Sequence, residues 1–433
     1  MKKRSWHGAL AAIGIASLPL LGACAASSGD GDEVGGSAGG TVMGTVDVSG
    51  LGRLPGIRVT LGDQVSTLTD AEGAFRFSFV PQGVHEVTAQ YRAYRYSGTA
   101  WARLEGDGVP MMVNLTLQPN SSVGKTVGVL TPEDIPGVDA INIQDVVGHE
   151  GIVVLCDVEN GFEVVDVSDP TAPAFIGGVL GDRNCEAAAL DWPLLYCGWN
   201  LTSLQEGGVA VYSLADPTSP VKLGETVTDN RVYGISLDGT ALYAIGDAAF
   251  QVYDVTDPKA PSLLGSLPMA GEGVEHRSGY AFVATDGPVL TVVDVREPSS
   301  PVVVWQSAET SSAVDCAIDG TYVYVAADRL YQYDVRDPTD VRLIGVTDAD
   351  DLEAQGAKLG SGLNLEGLSA SRGSVYLGAM FDGMVVVDYS DPHRPRFAWQ
   401  SDEMVPFAMN VYVNGAYAYT ASWTEGLRVV RRK

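Results

Sequence analysis

The feature that most constrains this chain is a short phrase ending in Asp-Pro or Glu-Pro. It is spelled Asp166-Val167-Ser168-Asp169-Pro170, Ser213-Leu214-Ala215-Asp216-Pro217, Asp254-Val255-Thr256-Asp257-Pro258, Asp294-Val295-Arg296-Glu297-Pro298, Asp334-Val335-Arg336-Asp337-Pro338 and Asp388-Tyr389-Ser390-Asp391-Pro392. The prolines fall 47, 41, 40, 40 and 54 residues apart. A period near 40 with four short strands per unit is the sequence signature of blades arranged around an axis. Each phrase follows an alternating hairpin such as residues 235–244, where Asp238-Gly239 sets the tight turn.

Residues 407–431 repeat the first three strands of the unit once more and then stop at Leu427-Arg428-Val429-Val430. Ahead of the first unit, Lys125-Thr126-Val127-Gly128-Val129-Leu130 matches the outer-strand phrase Arg342-Leu343-Ile344-Gly345-Val346-Thr347. Pairing the two ends would close a ring of seven blades and leave no open sheet edge. The units from residue 141 onward resemble LVIVD repeats, a β-propeller family. The fold expected is all-β: a seven-bladed propeller over residues 120–433, preceded by a small β-sandwich and an export signal.

That sandwich is expected over residues 41–119, where short alternating runs are separated by Gly and Pro. Thr69-Asp70-Ala71-Glu72-Gly73-Ala74-Phe75, followed by Val80-Pro81-Gln82-Gly83, looks like the carboxypeptidase regulatory-like domain, a prealbumin-type fold. No chemistry is assigned to it. Asp70 and Gly73 serve a tight turn.

The chain opens as a processing signal over residues 1–23: Met1-Lys2-Lys3-Arg4, an apolar stretch too short to span a bilayer, then Leu21-Gly22-Ala23-Cys24. This resembles the bacterial lipobox, which implies lipidation at Cys24 and firm membrane attachment. Residues 24–40 lack large apolar side chains and read as a flexible Ser/Gly tether. Ala25, where an inner-membrane retention signal would place Asp, favours the outer membrane or cell surface. The formal charge of −27 becomes −30 once Lys2, Lys3 and Arg4 are removed. Nucleic acid is therefore excluded as a partner, since phosphate backbones reward clustered cations.

Chemistry has few places to sit. Pro fixes φ and Asp bonds nearby backbone, so the Asp-Pro phrase is a turn and not a row of catalytic carboxylates. If fourth strands lead up to the next first strands, the insertions at 198–208 and 348–363 share one face, along with Trp199, Phe381 and Trp423. Loop length concentrated on one side of a scaffold marks binding, and aromatics offer stacking surfaces or, alternatively, rim packing. First strands begin on that face with the acids Asp145, Glu186, Glu275, Asp315 and Glu366, and Asn410 aligns with Asp315. Such acids would hold Ca²⁺, or stand solvated in a water-filled channel with no cofactor. The acids at Asp348, Asp350, Asp351 and Glu353 read as a solvated insertion. Cys185 and Cys197 flank a hairpin and could face each other as a disulfide. The sparse histidines give a zinc site or a His-based triad little to build on. The reading expected is a surface lipoprotein that binds a protein or glycan ligand; the alternative is a metal-dependent hydrolase or lactonase using the channel acids.

Overall fold

The computed structural model describes residues 39–433, apart from 63–64, 106–108, 182, 202–205, 361 and 404. The signal sequence, Cys24 and nearly all of the tether lie outside the described residues.

Seven four-stranded antiparallel blades account for residues 126–130 and 143–431, with one extra short strand beside the fourth. Blade one runs Ile143–His149, Ile152–Asp157, Gly161–Asp166 and Ala174–Leu180. The middle two strands of each blade are buried on both faces, so they read as unbroken apolar runs such as Met384-Val385-Val386-Val387 in Met384–Asp388. Innermost strands touch their neighbours in order around the ring, and Val411–Asn414 of blade seven meets Ile143–His149 of blade one. The ring closes through Thr126–Leu130, which pairs with Leu427–Arg431 in the register Leu427 to Leu130 and Val429 to Gly128. The outer strand of the last blade thus comes from the chain's first part, and the seam has no free edge.

The repeated phrase forms nested side-chain turns. Asp166 accepts the Ser168 amide at 2.8 Å and Asp169 accepts the Thr171 amide at 2.9 Å; Asp388 with Ser390 and Asp391 with His393 repeat the arrangement in blade six. The turn also wedges between blades. A Cβ placed on Gly128, Gly177, Gly224 or Gly265 of an outer strand would stand 2.2–2.8 Å from the backbone of the next blade's turn, at Pro170, Pro217, Pro258 or Pro298. At these four positions nothing larger fits.

Residues 40–119 form eight strands: β1 (Gly40–Val48), β2 (Arg58–Leu61), β3 (Val65–Leu68), β4 (Ala74–Val80), β5 (Gly83–Tyr91), β6 (Tyr96–Leu104), β7 (Met111–Met112) and β8 (Leu115–Pro119). They follow the order β3-β2-β5-β6-β8-β1-β4, with β7 beside β1, around a core of their own that includes Val46, Val59, Phe75, Val87 and Leu117. This unit rests on blade six. The Arg92 amide donates to Asp388 Oδ2 at 3.0 Å, and Trp399 Nε1 donates to the Ala93 carbonyl at 2.9 Å.

Candidate functional site

Three side chains make a ladder of rings where blades six and seven meet. Phe381 and Phe407 have centroids 5.3 Å apart at 70°, and Phe407 and Trp423 are 5.5 Å apart at 71°. Edge-to-face contact fixes the rings against one another. Phe381 is 61% exposed. The backbone beneath is held in a sparsely populated region: Met380, Phe407 and Trp423 have φ of +39°, +53° and +40°. Reciprocal Met380 and Ala408 amide bonds at 3.0 Å tie the two loops together, and the Trp423 carbonyl accepts the Ile143 amide of blade one. Bulky residues keep positive φ only where the surroundings enforce it.

Beside the ladder opens a cleft of about 1260 Å³, walled by the small unit, the blade five-to-six insertion and the outer strand of blade six. Arg92, Arg95, Lys125 and Lys358 line it, and none of the four makes an ion pair among the described residues. Asp382, Asp402 and Glu403 line the same cleft, so it carries both signs of charge. The insertion is a wall and not a solvated tail. Its short helix α1 (Ala349–Glu353) is capped by Asp348, whose carboxylate accepts the Asp351 amide. Leu352, Ala357, Leu359 and Leu363 are buried, and Gln355 and Lys358 bond the outer strand of blade six. Its acids Asp350, Asp351 and Glu353 face water, as do Gln355 and Lys358.

Trp199 is not a surface aromatic. It is 0% exposed, packed with Cys197, Phe162 and Cys185, and the Arg183 guanidinium lies 4.4 Å over its ring. The stretch 198–208 lengthens the hairpin of blade two, with Trp199 opposite Gly208 and Leu201 opposite Glu206. Trp199 therefore shares the face of Cys197, two residues back, and fills the joint with blade one.

The inner-strand acids are spread around the channel. Asp145 accepts the Ala188 amide of blade two at 2.9 Å, and Asp315 accepts the Leu368 amide of blade six at 2.8 Å. Both carboxylates staple one first strand to the next. Asn410 donates to Asp145 at 2.9 Å across the seam between blades seven and one. Glu186 accepts from Asn200 at 2.8 Å. Burial pushes Asp315 up to about 8 and Glu275 up to about 7, and raises Asp145, Glu186 and Glu366. Glu272, which the sequence pattern did not single out, reaches about 7 through desolvation and through Asp286, Glu366 and Glu186. Among the described residues no group of three His, Cys, Asp or Glu side chains is placed to hold a metal ion.

Cys197 lies opposite Ala188, not Cys185. The hairpin turns about Trp192 and Pro193 and not about Asp191, so the partner of Cys197 lies three residues further on and Cys185 falls outside the paired strand. Its thiol instead donates to Cys156 Sγ at 3.2 Å, and all four described cysteines are buried and unbridged. Burial pushes Cys156 up to about 12, which keeps this thiol protonated and unreactive.

The family model for the LVIVD repeat matches residues 144–180, 274–307 and 407–430. The chain thus carries LVIVD repeats in blades one, four and seven. In solved structures it resembles the β-propeller domain of Cps50 (Swd1) from Myceliophteria thermophila, with 12% identity and a TM-score of 0.50 over 67% of this chain and 98% of that one. It also resembles a chain of the Mitotic Checkpoint Complex, with 14% identity and a TM-score of 0.53 over 72% and 96% of the two chains. Both likenesses concern the fold alone. No curated protein matches the sequence.

Proposed function

We propose that this chain is an exported binding protein, anchored through Cys24, whose propeller presents the sector around Phe381, Phe407 and Trp423 to a protein or glycan ligand. The ladder carries the reading: clustered aromatic rings on strained, doubly tied loops cost stability and give the core nothing that aliphatic side chains would not supply. The adjoining cleft, lined by cations and carboxylates together, offers polar partners to such a ligand. Among the described residues no helix is long and apolar enough to cross a membrane, and the lipobox-like run supplies the attachment. The acids that would serve a hydrolase are, at Asp145 and Asp315, already bonded to backbone amides.

Replacing Phe407 and Trp423 by Ala should weaken ligand capture, measured by pull-down or glycan array, by roughly 1–3 kcal/mol for each true hot spot. Changing His393 or Lys259 in the Asp-Pro turns should leave capture intact. Cys24→Ala should release the protein from membranes in fractionation. Capture that survives the double aromatic change and is lost with the turn variants would sink the binding assignment.

A further inference from the structure

The small N-terminal unit presents a second polar surface, built by strand register. On the sheet face turned away from the core, Ser66 of β3 stands opposite Thr60 of β2, Thr60 opposite Thr88 of β5, and Thr88 opposite Thr99 of β6. Four hydroxyls therefore form one row across four strands, about 14 Å long at the usual strand spacing. The row beside it reads Leu68, Arg58, Gln90, Ser97, and on the other side Glu86 pairs with Trp101. The alternate residues Val59, Leu61, Val87, Ala89 and Ala102 fill the core, so the polar rows are a consistent outward face and not a fault in patterning.

This face is roofed at one end by the propeller. Arg372, in the turn between Gly367–Ser371 and Ser374–Gly378 of blade six, helps enclose a cavity of about 460 Å³ over Arg58, Thr60, Thr88, Gln90 and Thr99, with Glu86 at its Trp101 side. The groups inside are unspent. The hydroxyls of Thr60, Ser66, Thr88, Ser97 and Thr99 have no protein hydrogen-bond partner among the described residues, and Arg58 Nε and Gln90 Oε1 are buried without one. Neither Arg58 nor Arg372 makes an ion pair there. At the far end Trp101 is 63% exposed.

We infer that this face binds an acidic saccharide, with ring hydroxyls along the Ser66, Thr60, Thr88 and Thr99 row, an apolar sugar face on Trp101, and a uronate carboxylate at Arg58 and Arg372. Hydroxyl and amide side chains both donate and accept, as sugar hydroxyls do. A flat indole suits the C–H face of a pyranose, and a guanidinium matches a carboxylate in two parallel hydrogen bonds. A peptide would find no apolar pocket for its side chains, and a nucleic acid would need cations along its whole length instead of at one end. The site is separate from the aromatic ladder, so the two stand or fall independently.

Isothermal titration calorimetry of the full chain with trimers of galacturonate, mannuronate and guluronate, and with neutral maltotriose, tests this. At least one uronate trimer should bind roughly tenfold or more tighter than maltotriose. Trp101→Ala and Arg372→Ala, both at exposed positions, should each weaken it by about tenfold with the melting temperature unchanged, and Thr88→Val should weaken it without changing side-chain size. Phe407→Ala and Trp423→Ala should bind as the parent does. The inference is overturned if no uronate trimer is preferred, or if the Trp101 and Arg372 variants bind like the parent. Loss only in the Phe407 and Trp423 variants would also overturn it, moving the saccharide to the ladder.

Discussion

Blades two and six differ at one register position. Gly224 in blade two stands opposite Val211, and Trp399 in blade six stands opposite Val386. Over Gly224 lies the Asp-Pro turn of blade three, with Lys259 and Pro258 backbone atoms 2.7–2.8 Å from where a Cβ would sit. Blade seven has no such turn, because its outer strand enters from the other part of the chain. The space beside blade six is filled by Trp399 itself, by Gly124 before the closing strand, and by the Ala93 carbonyl of the small unit. Blade four carries Trp305 at this position although blade five has the turn, so the repeat alone does not dictate glycine there; beside blade six the bulk of Trp399 coincides with the docked second unit and the cleft.

Breaking the irregular side of this comparison should cost the most. Trp399 is 4% exposed, packs on Tyr376 and bonds the small unit. Trp399→Ala should lower unfolding free energy by roughly 3–5 kcal/mol in urea melts, and should expose residues 39–119 to proteolysis before the blades. An unchanged protease pattern would mean that the small unit is held elsewhere, for example by the Arg396 guanidinium at the Pro55 and Gly56 carbonyls.

On the regular side, Gly224→Ala should destabilise by roughly 1–3 kcal/mol, since a methyl group must push the next blade's backbone aside. Gly345 occupies the same register position in blade five, opposite Gln332, yet a Cβ there would meet nothing within 4 Å. Gly345→Ala should therefore change the melting midpoint by less than about 0.5 kcal/mol equivalent. Equal costs at the two sites would show that the glycines serve strand conformation and not blade packing.

The same contrast shows what the sequence could disclose. The phrase at Asp166–Pro170 and its copies, the period, and the match between residues 125–130 and 342–347 made the ring and its closure readable, because each is a local pattern repeated under one physical demand. Trp199 was misplaced because a longer loop and a longer hairpin look alike in sequence; the Gly208 and Gly207 partners that extend the strands carry no alternation of their own. Phe407 went unnoticed because its role depends on Phe381 and Trp423, distant in the chain, meeting across two blades. Asp145 and Asp315 were legible as acids at first-strand starts, but the amides they accept belong to the following blade, and no spacing within one repeat reports that. Cys156 and Cys185 meet across a blade joint for the same reason.

A smaller effect follows from those staples. Burial holds Asp315 near 8 and Glu275 near 7, both above their unfolded values, so the native state binds protons that the unfolded chain has released. Their contribution is complete below about pH 4 and is lost as pH rises through about 7 to 8. The propeller should melt higher at pH 5 than at pH 8.5, with a slope of up to about 1.4 kcal/mol per pH unit for each group. Glu275→Gln, neutral at every pH, should flatten that slope. A flat profile in the parent would show that water reaches both carboxyls and leaves them ionised.

The smallest effect on stability, and the sharpest separation of scaffold from surface, belongs to Phe381. It occupies the same loop of its blade as Trp423 and meets Phe407 in a T-shaped pair, and at 61% exposed it has little core contact to lose. Phe381→Ala should shift the unfolding midpoint by no more than about 0.5 kcal/mol, whereas a ring that served rim packing would cost several times that. Met380, the positive-φ residue before it, keeps its reciprocal bonds with Ala408 in the variant, so the loop that presents the ring survives its removal. Stability retained together with weakened ligand capture would place Phe381 on the binding surface. A drop of roughly 2 kcal/mol or more with capture unchanged would make the ladder a structural joint between blades six and seven, and would return the search for the ligand to the cleft cations alone.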